Sequence, residues 1–516
     1  MGRTYFSVLT PVYEPPLDAL RAAIASVQEQ TFGDWELVLV DDCSPSPEVR
    51  EVLQAAASDP RITVIERNSN GGIVAASNDA IAAATGEFLV LLDNDDLLHP
   101  RALEKVAAAL AVDPSIDYVY TDEDKINAEG EHYDEFRKPA WSPERLRGQM
   151  YTSHLSVLRA SLVREVGGFH TGFDGSQDHD LVLRVTERAR RVSHVPEVLY
   201  HWRVVPGSTA GDASAKPYAW EAGRRAVQAH LDRVGVPAVV QFGEIPGTLR
   251  VTREPSADHV VSVVIPTRGS SGIVWGEERV FVVEAVRSVI ENAGYPHVEI
   301  IVVYDLATPP RVLESLREVG GNRIVLVPFD GPFNFSAKCN VGFLAATGDV
   351  IVLLNDDVHA AQHGFLAQLI APLDERGVGM TGAHLLFADG RLQHGGHLYS
   401  RGEFMHAFFC ASSDDPGPFA ALRVSRECSG LTAACVAITR ETFEAVGGLC
   451  EVLPVNFNDV DLSMKVRSLG RRLLWLHNVV LYHFESQTRE AGVHGWEYEF
   501  MTKRWHFPAE DAYLRL

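Results

Sequence analysis

ATGEFLVLLDNDD at residues 84–96 and ATGDVIVLLNDD at residues 346–357 are one pattern written twice. Each copy opens on a small-residue turn, continues as an apolar run of strand length, and closes on carboxylates with an Asn among them. A short apolar run bounded by turn signals fits a strand buried on both faces, as in a parallel sheet flanked by helices. The edge where such strands end is where open α/β sheets bind ligands. Carboxylates crowded there repel one another unless a cation lies between them. A hard divalent ion such as Mg2+ takes oxygens of this kind together with substrate phosphates. The expectation is two metal–diphosphate sites in one chain.

Working outward, the match extends to both halves. Pro11 answers Pro266, ELVLVDD at 36–42 answers EIIVVYD at 299–305, and Asp95 answers Asp357. Gly167-Gly168 answers Gly447-Gly448, DHDL at 178–181 answers DVDL at 459–462, and LYH at 199–201 answers LYH at 481–483. The offset grows from 255 to 282 while the order holds, so insertions separate the motifs of a duplicated domain. Between motifs, apolar runs at 6–10, 35–40 and 62–65 read as strands, the first stopping at Pro11. Leu17, Leu20, Ile24 and Val27 form one helix face, and 48–57 and 73–84 read as further helices. Alternating strands and helices give βαβ units and a mostly parallel sheet. A strand at 118–120 ends in TDED at 121–124, residues 126–150 read as loop, and a helix is expected over 218–234. Residues 243–259 carry Pro, Gly and polar residues without periodicity, after which the pattern restarts. The fold class is therefore α/β, with Rossmann-like domains at 1–242 and 260–516 joined by a linker at 243–259.

The totals agree with two domains: 516 residues exceed what a single core usually organises. A net charge of −23 argues against nucleic acid and against a broadly basic membrane face. Arg188, Arg190, Arg191 and Arg471, Arg472 still allow a small lipid-facing patch. Six scattered cysteines, five in the second half, fit reduced thiols better than a disulfide framework. Neither a signal-peptide pattern nor a myristoylation pattern is visible, since Phe6 stands where the latter needs Ser or Thr. No apolar run approaches the ~20 residues of a membrane span. The expected location is the cytoplasm, at most peripheral at the inner face of the membrane.

Taken together, these motifs resemble family 2 glycosyltransferases of GT-A fold, in two copies covering nearly the whole chain. FNFSAKCN, LLNDDV, ECSGLTAAC, FNDVDL and LYHFES of the second half look like enzymes of bacterial O-antigen and rhamnose-rich polysaccharide synthesis. LLDNDD, YTDEDK, GSQDHDL and LYHWR of the first half look like the companion domain fused ahead of them. The resemblance implies nucleotide-sugar donors, UDP- or dTDP-linked with rhamnose among the sugars, and a saccharide acceptor that is lipid-linked in some relatives. It implies Mg2+ or Mn2+ as cofactor. Metal ligands are expected at Asp95 and His201 in the first half and at Asp357 and His483 in the second. No second His or Cys stands near either His at zinc spacing, which favours an oxygen-rich site.

The same resemblance assigns the remaining roles. Asp178 and Asp459 are the catalytic bases that take the acceptor hydroxyl's proton, a contribution of roughly 10²- to 10⁴-fold. Asp180 and Asp461 suit a helix first turn. Nucleotide-sugar contacts are expected from Thr10, Glu14, Asp41, Asp42, Asn78 and Asp93 in the first half. Thr267, Asp305, Lys338, Asn340, Asn355 and Asp356 are expected to make them in the second. Tyr304 replaces the first Asp of the VDD pair, and Gln177 and Asn458 stand where relatives carry Glu. Asp122-Glu123-Asp124 is a rival D-x-D read as acceptor-facing or solvated loop; His394 and His397 read as acceptor contacts or structural residues. A bifunctional, metal-dependent, inverting glycosyltransferase is the leading expectation, against one active half with a scaffold partner. A nucleotidyltransferase is disfavoured because TPVYEP and IPTRGS lack a Gly- and Arg-rich loop, and a dehydrogenase because no G-x-G-x-x-G follows a strand.

Overall fold

The computed structural model of the chain describes residues 4–204, 217–484 and 492–515. The first half builds strands β1 (Phe6–Val12), β2 (Trp35–Asp41), β3 (Ile62–Glu66), β4 (Phe88–Leu91) and β5 (Leu97–Leu98). It continues with β6 (Ile116–Ile126), β7 (His132–Phe136), β8 (Ser156–Arg159) and β9 (Arg191–Arg203). They form one sheet in the order β3-β2-β1-β4-β8-β6-β9-β5, with β7 along β6. A hairpin of β10 (Ala238–Phe242) and β11 (Leu249–Arg253) leads into the second half, so part of 243–259 is strand.

The second half holds β12 (Val261–Thr267), a hairpin of β13 (Ser271–Val274) and β14 (Glu277–Val280), then β15 (Val298–Asp305), β16 (Ile324–Phe329), β17 (Val350–Leu354) and β18 (Val358–His359). After these come β19 (Val378–Leu386), β20 (Leu392–His394), β21 (His397–Ser400), β22 (Glu403–His406), β23 (Arg426–Glu427), β24 (Cys435–Thr439) and β25 (Arg472–His483). Their order, β16-β15-β12-β17-β24-β19-β25-β18, repeats the first sheet strand for strand. The chain is thus a tandem pair of α/β domains, as the repeated motifs imply.

Each domain ties its central strands with one part-buried carboxylate. Glu36 Oε1 accepts from Ser7 Oγ (2.5 Å), Thr85 N (2.6 Å) and Thr85 Oγ1 (2.9 Å), and Gly86 N donates to Ser7 Oγ (2.8 Å). Glu299, Ser262, Thr347 and Gly348 repeat the arrangement, with Glu299 Oε1 accepting from Ser262 Oγ at 2.6 Å and from Thr347 N at 2.6 Å. A Cβ at Gly86 would lie 2.6 Å from Ser7 Oγ and 2.7 Å from Ser7 N, so only glycine fits beneath the strand. The A-T-G that opens each motif is therefore a structural clasp.

Three local expectations change. β1 runs through Pro11, because β4 pairs only with Phe6 to Leu9 and leaves the missing N–H of Pro11 without a ladder partner to satisfy. β6 continues through the acidic residues, and the presumed loop at 126–150 contains β7 and a helix, Pro143–Gly148, capped by Ser142. The rival D-x-D is buried rather than solvated: Asp122 meets His194 (2.7 Å) and Arg515 (2.5 Å), and Glu123 meets Lys138 (3.0 Å).

The two halves meet through buried ions. Arg253 donates to Glu144 (2.6 Å) and Glu375 (2.7 Å) and Arg147 to Glu375 (2.6 Å), while within the second half Arg472 donates to Glu427 (2.6 Å). Glu144 N donates to Glu427 Oε2 (3.2 Å), and Phe136 stacks on Phe419 with ring centroids 3.8 Å apart. The Arg253 and Arg147 guanidiniums hold the Glu144 carboxyl down to about 2 against its burial. All six cysteines are unpaired. Among the described residues no helix is long and apolar enough to cross a membrane.

Two candidate active sites

In the second half the ends of β12 and β17, the start of the helix Asn458–Ser468 and the end of β25 converge on a cleft of about 400 Å³. Thr267, Asn355, Asp356, Asp357, Asp459 and His483 all line it. His483 Nε2 lies 3.1 Å from Asp357 Oδ1 and 3.1 Å from Asn355 Nδ2, while its Nδ1 donates to Gln393 Oε1 at 2.9 Å. With the ring proton on Nδ1, Nε2 accepts from Asn355 Nδ2 beside Asp357, and a metal here would take that same lone pair from an imidazole steadied from behind. Asn355 Oδ1 is buried with no hydrogen-bond partner. A lone pair, a carboxylate and an orphaned carbonyl oxygen in one place fit a divalent cation.

Beside them, Asp356 accepts from Thr267 Oγ1 (2.6 Å); burial and then the Asp357 charge raise its carboxyl to about 7. Asp459 stands at the first turn of its helix, part-buried, with Oδ2 3.8 Å from His397 Nε2. Asp461, two residues on, is buried among Lys465 (3.1 Å), Arg504 (2.8 Å) and Trp505 Nε1 (2.8 Å). It belongs to the helix and its packing, and Asp180 does the same through Arg184 (2.6 Å).

Lys338 does not reach this cleft. It is fully buried, donates to the Thr267 carbonyl at 2.8 Å and pairs with Asp305 at 2.5 Å, so both residues are spent on each other beneath the first strand. Asn340 and Asn78 are likewise used elsewhere than the nucleotide. Asn340 brackets Leu449, accepting from its N (2.9 Å) and donating to its carbonyl (3.0 Å); Asn78 brackets Phe169 the same way, at 2.9 Å each. Both pin the loop after the Gly-Gly pair.

The first half builds a smaller version. Asp93 and Asp178 line one cleft of about 70 Å³ with Ser77, His154 and Gln177. The ladders give the cause of the difference in size. Leu91 pairs with Ser156 and Leu354 with Cys435, in sheets where Leu91 matches Leu353, so His154 stands where the second half has Ala434. The imidazole of His154 stacks on Tyr200 (4.5 Å between centroids) and approaches Asp93 (3.8 Å) and Glu123 (3.4 Å). Burial lowers its pKa, but those two carboxylates outweigh burial and hold it well above the ordinary histidine value. Nothing in the stretch YTSHLS marks His154 as a cleft residue; its place follows from strand pairing alone.

The expected metal pair of this half does not form. LDNDD is one residue longer than LNDD, and the ladders put Leu97 opposite His201 where Val358 is opposite His483. Asp96, not Asp95, therefore stands at the level of Asp357. Asp96 is fully buried, accepting from Tyr200 Oη (2.5 Å) and Arg203 N (2.7 Å), and burial with the Asp93 charge pushes its carboxyl up to about 8. Burial first, then Asp93, also raises Asp95. His201 turns its Nδ1 to Asp124 Oδ1 at 2.6 Å. At the first strands, Thr10 is buried, Glu14 is an exposed acceptor for Ser46 N (3.0 Å), and Asp41 accepts from Ser44 N (3.0 Å). Asp42 pairs with Arg67 and accepts from Gly71 N (2.9 Å) and Gly72 N (2.7 Å).

Residues 7–167 and 262–446 match the family model described as glycosyl transferase family 2. The chain is 40% identical over 524 residues to the uncharacterized protein y4gI of Sinorhizobium fredii, a match covering 98% of this chain and 57% of that one. It is 34% identical over 492 residues to the O-antigen biosynthesis protein RfbC of Myxococcus xanthus, covering 95% of this chain and 38% of RfbC. The chain thus spans well under two thirds of either relative's length. Of solved structures, S. aureus TarS 1-349 in complex with UDP-GlcNAc is similar at 21% identity and a TM-score of 0.37, over 44% of this chain and 66% of that one.

Proposed function

The chain belongs to glycosyl transferase family 2, and on that premise we propose that its second half transfers a sugar from a nucleotide-sugar donor to a saccharide acceptor, with inversion. The observation that carries this reading is a single cleft of about 400 Å³ lined by Asp357, His483 and Asp459 together. Asp357, His483 Nε2 and Asn355 Oδ1 would hold Mg2+ or Mn2+, whose chemistry when bound is to stabilise charge on a departing diphosphate, worth roughly several kcal/mol. Asp459 takes the proton of the attacking acceptor hydroxyl from across the cleft. Its Oδ1 already accepts from Val460 N (2.8 Å), which fixes the carboxylate and leaves Oδ2 toward the cleft. Kinship with RfbC supports a growing surface polysaccharide, lipid-linked or free, as acceptor.

The first half serves as a companion that shapes or binds the acceptor, its own cleft narrowed by His154. A second reading, in which both halves transfer sugars, is favoured by the shared cleft of Asp93 and Asp178. Asp459→Asn and Asp178→Asn separate the two. The proposal expects Asp459→Asn to lower transfer by roughly 10²- to 10⁴-fold with unchanged folding, and Asp178→Asn to leave every linkage in place. Loss of a distinct linkage in Asp178→Asn would establish two transferases; full activity in Asp459→Asn would remove the base assignment.

A further inference from the structure

We infer that Asp124, His132 and His201 form a binding site for one borderline divalent ion of the Zn2+ or Co2+ class, in the first half of the chain and apart from the carboxylates at 93–96 and 356–357. Three adjacent strands supply the ligands. Asp124 lies near the end of β6 opposite His201 of β9, and His132 begins β7, which pairs with the other edge of β6. Asp124 Oδ1 is 2.6 Å from His201 Nδ1, and Oδ2 is 2.9 Å from His132 Nδ1. The two rings stand edge to face at 82° with centroids 4.5 Å apart, and one donor atom from each of the three residues falls within 4.8 Å of the others.

Charge makes the argument specific. The two acidic neighbours of Asp124 have full-time cations, Asp122 in Arg515 and Glu123 in Lys138. Asp124 is 8% exposed and, among the described residues, is paired with neither Lys nor Arg; its ion-pair partners there are the two imidazoles. A buried carboxylate without a permanent counter-charge is costly, and imidazoles, unlike Lys or Arg, do not supply a fixed one. A divalent ion would, using the imidazole nitrogens as ligands, and His132 at the half-exposed mouth gives it a way in. Two imidazoles with one carboxylate are a softer set than the oxygens Mg2+ prefers, so the site selects Zn2+, Co2+ or Ni2+ over Mg2+.

The second half has no counterpart, since its ladder carries Leu386 opposite Tyr482 where the first half has Glu123 opposite Tyr200, so Phe387 follows where Asp124 stands in the first half. Its own imidazole cluster, His394, His397 and His406, is less suited to an ion. His394 Nε2 accepts from Thr432 N (3.2 Å), which keeps the ring proton on Nδ1, where it donates to His406 Nδ1 (2.9 Å).

The test adds Co2+ to the chelator-stripped full chain and follows its d–d absorption and stoichiometry, with Zn2+ as competitor. The expected result is one Zn2+-displaceable Co2+ site that persists in Asp357→Asn. In His132→Ala its apparent Kd rises at least about tenfold, as loss of a ligand should exceed loss of an outer-shell partner. His132 is exposed, so folding is preserved; the thermal shift given by Zn2+ in the native chain should vanish in this variant. Identical Co2+ spectra and Zn2+ shifts in the native chain and His132→Ala would overturn the site and leave an ion-paired carboxylate only. None of these readouts depends on sugar transfer by the second cleft.

Discussion

At the level of single residues, the two clefts differ most through the side chain at one rung of the sheet, His154 in the first half and Ala434 in the second. Ala434→His should therefore close the wider cleft. A loss of kcat/KM of about a hundredfold is expected, the scale of an ångström-size misplacement of substrate, while thermal unfolding stays near that of the native chain. His397 gives a second residue-level prediction. Burial lowers its pKa to about 4, from an unfolded value near 6.5. The unfolded chain therefore binds the proton first, so this residue's contribution is intact above pH ~6.5 and is lost as pH falls toward 4. The loss amounts to up to roughly 3 kcal/mol. Denaturant titrations at pH 7 and pH 4.5 should show the gap narrowing in His397→Gln. The expected pairing of His201 with Asp95 is not seen: its partners lie 77 (Asp124) and 69 (His132) positions upstream, and zinc-like spacing along the chain carries no trace of a neighbourhood created by strand pairing.

Among the secondary-structure elements, the apolar strands and their acidic ends were legible because burial on both faces writes a continuous apolar run. The continuation of β6 through Asp122, Glu123 and Asp124 was not, since carboxylates in a strand interior look like a turn until Arg515, Lys138 and two imidazoles arrive from elsewhere. Glu36 and Glu299 show the opposite case. Both stood in the repeated motifs, and their purpose appears only with Ser7, Thr85 and Gly86, or Ser262, Thr347 and Gly348, around them. Gly348→Ala would press a Cβ to 2.6 Å from Ser262 Oγ. We expect a cost of about 1–3 kcal/mol, read as a lower midpoint in denaturant, with the cleft chemistry retained at temperatures where the variant is folded.

For the molecule as a whole, the duplication was plain in the sequence while the joint was not. Glu144, Arg147, Arg253, Glu375, Glu427 and Arg472 are spread over both halves, and no motif links them. Arg253→Met leaves Glu144 and Glu375 short of a cation inside the protein. A destabilisation of about 3–5 kcal/mol is expected, visible by calorimetry as a lower Tm or as a transition split into two. Glu144 adds an acid limit: held at about 2 when folded, against 4.5 when free, it favours the joined state above pH 4.5 and ceases to do so as pH falls toward 2. This welded seam also bears on how a polymer could be built here. The ion pairs from Arg253 to Glu144 and Glu375 join the two clefts across the seam; under the proposal that the first half binds the acceptor, a saccharide reaching both clefts would be measured against the span between them.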